Sequence, residues 1–154
     1  MKMRVLITTL FLLGLPAHAD DAAKPEDIAS YRHNAMEALG KHMKTSAMII
    51  KGQAPFQGDL PAHAAAIEGL SANLVSWFPE GTGPDVVPKS DALPTVWSDR
   101  QGFEKAALTF QQEAAKLTAI TKKEPLDLDA FKAQFGAVGK SCGGCHDDFA
   151  KEDD

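Results

Sequence analysis

The sequence predicts an all-α protein folded as an antiparallel up-down-up-down four-helix bundle. Apolar residues recur in steps of three and four along four separate stretches, the mark of helices that each bury one face. The joins are mostly short and carry proline or glycine, which favours antiparallel neighbours. No internal repeat or low-complexity tract interrupts the pattern.

Pro25-Glu26-Asp27 opens the first helix. Proline lacks an N–H that would be unpaired there anyway, and the two acids oppose the positive end of the helix dipole. Ile28, Met36, Leu39, Met43, Ala47 and Ile50 then share a face until Gly52 ends it. After a link with Pro55 and Gly58, Leu60, Ala64, Ile67, Leu70, Leu74 and Trp77 mark the second helix. Residues 78–91 hold Pro79, Gly81, Gly83, Pro84 and Pro88, too many breakers for regular structure, and predict a long irregular crossover. The third helix carries Leu93, Trp97, Phe103, Ala107, Phe110, Ala114 and Leu117, stopping before Pro125. In the fourth, Leu128, Phe131, Phe135, Val138, Cys142, Cys145 and Phe149 alternate steps of three and four without a break, so both thiols fall in phase with the apolar seam. Gly136, Gly139, Gly143 and Gly144 in the same stretch each cost about 1 kcal/mol relative to alanine. A flat ligand lying close to the backbone would justify that cost; a frayed helix end would explain it equally well.

Cys142-Gly143-Gly144-Cys145-His146 is a C-x-x-C-H run, the attachment signature of c-type haem. Two thiols three residues apart on a helix share a face and can both add to vinyl groups on one porphyrin edge. The adjacent His146 offers iron an axial imidazole. Cys142 and Cys145 are the only cysteines. A disulfide between them would close a tiny, strained loop and stabilise little. A thioredoxin-like pair needs a βαβ setting, and no alternating strand pattern surrounds the motif. A zinc site would need a fourth ligand from His33, His42 or His63, none of which sits in a paired metal motif.

At the N-terminus, Met1-Lys2-Met3-Arg4 precedes an almost wholly apolar run from Val5 to Leu15 and then Pro16-Ala17-His18-Ala19. This is the pattern of a cleaved secretory signal, so residues 1–19 are expected to be a leader and residues 20–154 the mature domain. The apolar run is too short to span a membrane comfortably. Lys2 and Arg4 leave with the leader, which leaves 14 basic against 21 acidic side chains and a formal charge of −7. That balance disfavours nucleic acid and anionic lipid, and suits redox partner proteins with a basic docking surface.

A C-x-x-C-H motif on the last of four helices resembles the class II c-type cytochromes, the group of cytochrome c prime and its low-spin relatives. Further stretches that carry the resemblance are Pro25-Glu26-Asp27 with Tyr31-Arg32 and Met36, then Ile49-Ile50-Lys51-Gly52, Leu93-Pro94-Thr95-Val96-Trp97, and the run from Cys142 to Phe149. The resemblance implies a periplasmic protein with one covalently attached haem c, as monomer or homodimer. It implies Cys142 and Cys145 as attachment points, His146 as proximal iron ligand, Met36 as the family position facing the other side of the iron, and Arg32 near the haem propionates. The expectation is a one-electron carrier with low-spin His146/Met36 iron. The alternative is a five-coordinate, high-spin protein in which Met36 only covers a site for nitric oxide or carbon monoxide. An enzyme is not expected, because Ala35, Met36 and Leu39 offer no distal acid or base and Glu37 should point elsewhere. Where many cytochromes c prime have Arg or Lys four residues after the axial histidine, this chain has Ala150, with Lys151 next.

Overall fold

The computed structural model describes residues 23–151, so the expected leader at 1–19 lies outside the described residues. Helix α1 (Pro25–Ile50) starts at the proline with Glu26 and Asp27 in its first turn. Its end is a Schellman turn: Gly52, at φ 72°, donates its N–H to the Ile49 carbonyl, and Gln53 donates to that of Met48. Only glycine adopts that left-handed backbone at no steric cost.

The second helix is shorter than the apolar spacing suggests. Helix α2 (Leu60–Ser71) stops, and Leu74–Trp77 continues as a separate 3-10 turn. Competing hydrogen bonds account for the break. The Ser71 hydroxyl donates to the Glu68 carbonyl at 2.7 Å, and Gln111 Nε2 donates to the Ser71 carbonyl at 2.9 Å, occupying the acceptor that a next helical turn would use. Leu74 and Trp77 stay buried, so the stripe keeps its phase although the helix does not.

The expected third helix is two. Thr95–Ser98 forms the single turn α3, and Arg100–Ile120 forms α4. Asp99 separates them, with φ −117° and ψ 58°, and its carboxylate accepts the Gly102 N–H as the N-cap of α4. A Cβ at residue 102 would strike that carboxylate, so the cap itself requires glycine. Helix α5 (Leu128–Phe149) is capped by Asp127, which accepts from the Ala130 N–H, and it runs unbroken through Gly143 and Gly144.

The four long helices pack as the expected bundle. Helix α4 lies against both α2 and α5, α1 lies against α2, and α1 meets α5 only sparsely. The core centres on Phe103, Phe131, Leu60, Ile67 and Leu117, all essentially inaccessible. Phe131→Ala removes a fully buried ring, and a loss of about 3–5 kcal/mol in unfolding free energy is expected from urea denaturation of the haem-loaded protein. No helix among the described residues is long and apolar enough to cross a membrane.

Candidate haem pocket

The sparse meeting of α1 and α5 leaves a cavity of about 670 Å³ between the first half of α1, the last turn of α5 and the end of the crossover. Its size falls within the range of about 300–1,000 Å³ typical of small-ligand sites. Met36 and Arg32 from α1 and Cys145 and His146 from α5 all line it. Cys142 sits one turn earlier, half-buried against the core, and is not among the lining residues. His146 is exposed at the rim, while Met36 is half-buried and packs partly against the core.

Both cysteines are free thiols. Burial pushes the Cys142 pKa up to about 11, helped by the neighbouring Cys145, and burial with the nearby Asp148 carboxylate raises that of Cys145. The pair is therefore held as neutral thiols near neutral pH. Among the described residues no group of three or more His, Cys, Asp or Glu is placed to hold a metal ion, so the zinc reading finds no fourth ligand.

The crossover locks onto the end of α5. Ala92 and Ala150 form an antiparallel bridge, in which the Leu93 N–H donates to the Phe149 carbonyl and the Lys151 N–H to that of Asp91. The Thr95 hydroxyl donates to the Asp148 carbonyl at 2.6 Å. These bonds satisfy carbonyls that the end of a helix would otherwise leave orphaned, and they fix the C-x-x-C-H turn against the cavity wall.

Arg32 is buried, only 4% exposed. Its Nη1 donates to the Trp77 carbonyl and the Thr82 hydroxyl, and its Nη2 to the Thr82 carbonyl and the Ser90 hydroxyl, at 2.8–3.2 Å. The guanidinium lies over the Phe78 ring, 4.7 Å from its centre. Burial pulls its pKa below the usual value while the Asp91 carboxylate works against that; an arginine nevertheless stays charged. Both terminal nitrogens are thus committed to the crossover, and the expected propionate contact rests on the charge rather than on those four N–H bonds.

The buried part of the remaining wall is mainly apolar: Phe78, Phe103 and Phe149 form a run of edge-to-face rings, with centres 4.7 and 5.5 Å apart, and Val87 and Ala92 close the crossover side, while the exposed Glu26, His33, Lys89 and Asp91 also line the cavity. Phe103 and Phe149 are legible in the sequence as stripe positions; Phe78, Val87 and Ala92 are not, because an irregular segment has no period to betray its inward face. The only signal is the presence of apolar residues in an otherwise polar, breaker-rich loop. His33 is exposed, with Nδ1 2.8 Å from Asp91 Oδ2. His42 does not line the cavity, and its Nδ1 instead contacts that of His63.

The donor set fits a covalent haem. Two free thiols share one helical face, an imidazole follows the second, the slot beside them is apolar, and one buried cation faces it.

Comparison with known proteins agrees. A family model described as Cytochrome C' matches residues 27–150. The chain is 36% identical to cytochrome c' of Alcaligenes xylosoxydans xylosoxydans over 84% of its own length and 98% of the relative's. It is 39% identical to cytochrome c' of Halomonas halodenitrificans, over 84% of this chain and 100% of that one. Among solved structures, a nitric oxide complex of a point mutant of cytochrome c prime from Alcaligenes xylosoxidans is similar, with a TM-score of 0.75 and 36% identity, covering 85% of this chain and 98% of that chain.

Proposed function

The chain belongs to the cytochrome c prime family, and from that premise we propose that it is a five-coordinate haem c protein that binds nitric oxide or carbon monoxide beside Met36. Family membership brings one covalently attached haem c. When bound, the haem supplies iron with one open coordination position and a one-electron couple.

The chain's own residues take the other parts. Cys142 and Cys145 would hold the haem through thioether bonds, each thiol supplying its sulfur to one vinyl carbon and its proton to the other, with no net oxidation. His146 would hold the iron through an imidazole nitrogen. Met36 would cover the bound iron with an apolar thioether. Arg32 holds the crossover in place and sets a positive charge where propionates would lie.

The observation that carries this reading is the similarity to a solved nitric oxide complex over nearly all of the described chain. The cavity chemistry supports it. Met36, Phe78, Phe103, Val87 and Ala92 offer no hydrogen-bonding side chain, and both terminal nitrogens of Arg32 are engaged elsewhere. Such a stretch of wall suits small neutral ligands that bind without a donor. The comparisons thus favour gas binding over the six-coordinate carrier expected first from sequence. The carrier remains the second reading for one reason: Met36 and His146 line the same cavity. In either case the protein works in the periplasm once residues 1–19 are removed, and exchanges electrons with a partner whose basic surface complements the chain's acidity.

Absorption spectra of the purified haem-loaded protein decide between them. Broad high-spin ferrous bands that shift on adding carbon monoxide or nitric oxide are expected. Sharp, split ferrous bands that ignore both gases, with a weak ferric sulfur-to-iron band in the near red, would overturn the proposal in favour of Met36 ligation. In stopped flow, Met36→Ala should speed carbon monoxide association roughly tenfold by opening the covered face, equivalent to about 1.4 kcal/mol.

A further inference from the structure

His42 and His63 lie outside the haem pocket, on the seam where α1 packs against α2. Their Nδ1 atoms are 2.9 Å apart, both rings are half-buried, and the ring planes meet edge to face at 60° with centres 5.2 Å apart. In neutral rings one Nδ1–H donates to the lone pair of the other, so the two imidazole nitrogens face each other across the seam.

Their separation matches a chelate once the rings turn both lone pairs toward a common point. With metal–imidazole bonds of about 2.0–2.1 Å, two nitrogens 2.9 Å apart subtend roughly 90° at a shared cation. A tetrahedral ion would need them about 3.3–3.4 Å apart, by the same bond lengths. An angle near 90° is that of neighbouring positions in a square-planar or tetragonal ion, the geometry of Cu(II) and Ni(II), and Cu(II) is the tightest binder of the divalent series. One turn beyond His42 along α1, Ser46 is fully buried and its Oγ has no hydrogen-bond partner, so the seam carries an oxygen whose bonding demand is unmet. Among the described residues no third His, Cys, Asp or Glu is placed with the pair, which leaves the other coordination positions to water.

We propose that His42 and His63 form a two-imidazole site for a divalent transition cation, with Cu(II) preferred over Zn(II), separate from the haem. On binding, the donor ring changes tautomer. Its proton passes through solvent from Nδ1 to Nε2, both rings ligate as neutral imidazoles through Nδ1, and the protein loses no net proton. A ligand from each helix then ties α1 to α2 at a point where the apo chain has a single hydrogen bond.

The test is titration of the haem-loaded protein with aqueous Cu(II) at neutral pH, followed by electron paramagnetic resonance. The expected result is one copper per chain with a tetragonal signal split by two imidazole nitrogens and with the haem absorption unchanged. His42→Gln and His63→Gln should each abolish the two-nitrogen signal, while Zn(II) should compete only weakly. Circular dichroism confirms that the variants fold; if either does not, the nitrogen count in the unaltered protein decides alone. Copper that binds both variants as it binds the unaltered chain belongs to His33 or the amino terminus and overturns the proposal. A one-nitrogen signal, or no stoichiometric binding, overturns it too.

Discussion

Serine at both 142 and 145 is expected to abolish covalent attachment, so that acidified acetone extracts all the haem from the double variant and none from the unaltered protein. A hydroxyl is a far weaker nucleophile than a thiol toward a vinyl carbon, and the chain has no other cysteine to substitute. Whatever haem the variant binds is then held without a covalent link, by His146, Arg32 and the cavity walls. Intact mass spectrometry gives the same answer independently, since the denatured variant should weigh the same as the bare mature chain. Haem that stays with the doubly substituted chain in acid would show that attachment does not run through these sulfurs. The loss should extend to stability, because a group that binds only the folded chain stabilises it by mass action, and severing the covalent link makes that contribution depend on free haem.

Arg32→Leu should destabilise the protein by about 2–4 kcal/mol, mostly by leaving the Trp77 and Thr82 carbonyls buried without a donor. The two hydroxyls it also bonds keep other partners: the Thr82 hydroxyl donates to the Pro79 carbonyl, and the Ser90 hydroxyl accepts from the Ala92 N–H. Arg32→Lys should recover only part of the loss, since an ammonium is a point donor and cannot bridge four acceptors in a plane. The local signature is sharper than the global one. Amide hydrogen exchange should quicken across residues 77–92, the crossover that Arg32 anchors, while the interior of α2 changes little. An Arg32→Leu protein with unaltered exchange in the crossover would show that the guanidinium does not hold that wall. The same variant removes the only buried cation beside the cavity among the described residues, so a weaker hold on the haem propionates should accompany the loosened loop.

Where period and cap chemistry act locally, the sequence is a good guide. Steps of three and four place Phe131, Val138 and Phe149 on the buried face of α5, with Cys142 and Cys145 packed against the core beside them, as observed. Pro25 and Gly52 mark the ends of α1 because a missing N–H and a left-handed backbone are properties of single residues. The reading falters where two regular segments share one stripe. The apolar spacing from Leu60 to Trp77 and from Leu93 to Leu117 survives breaks at Asn73 and Asp99, since burial demands phase and not continuity. What ends α2 is in part a hydrogen bond from Gln111, forty residues away, which no local pattern contains.

The sequence by itself determined the helical class, the cofactor chemistry and the helix that carries it, because a C-x-x-C-H motif and an amphipathic period are short-range facts written in adjacent residues. Tertiary structure decided the cavity: that α1 and α5 part to open it, that residues 78–92 close its side, and that Arg32 spends its terminal nitrogens on that closure; it also brought His42 to His63 between α1 and α2. Each of these is a contact between residues far apart in the chain. Such contacts depend on how whole helices pack and where an aperiodic loop comes to rest, so they leave no spacing in the sequence to be read.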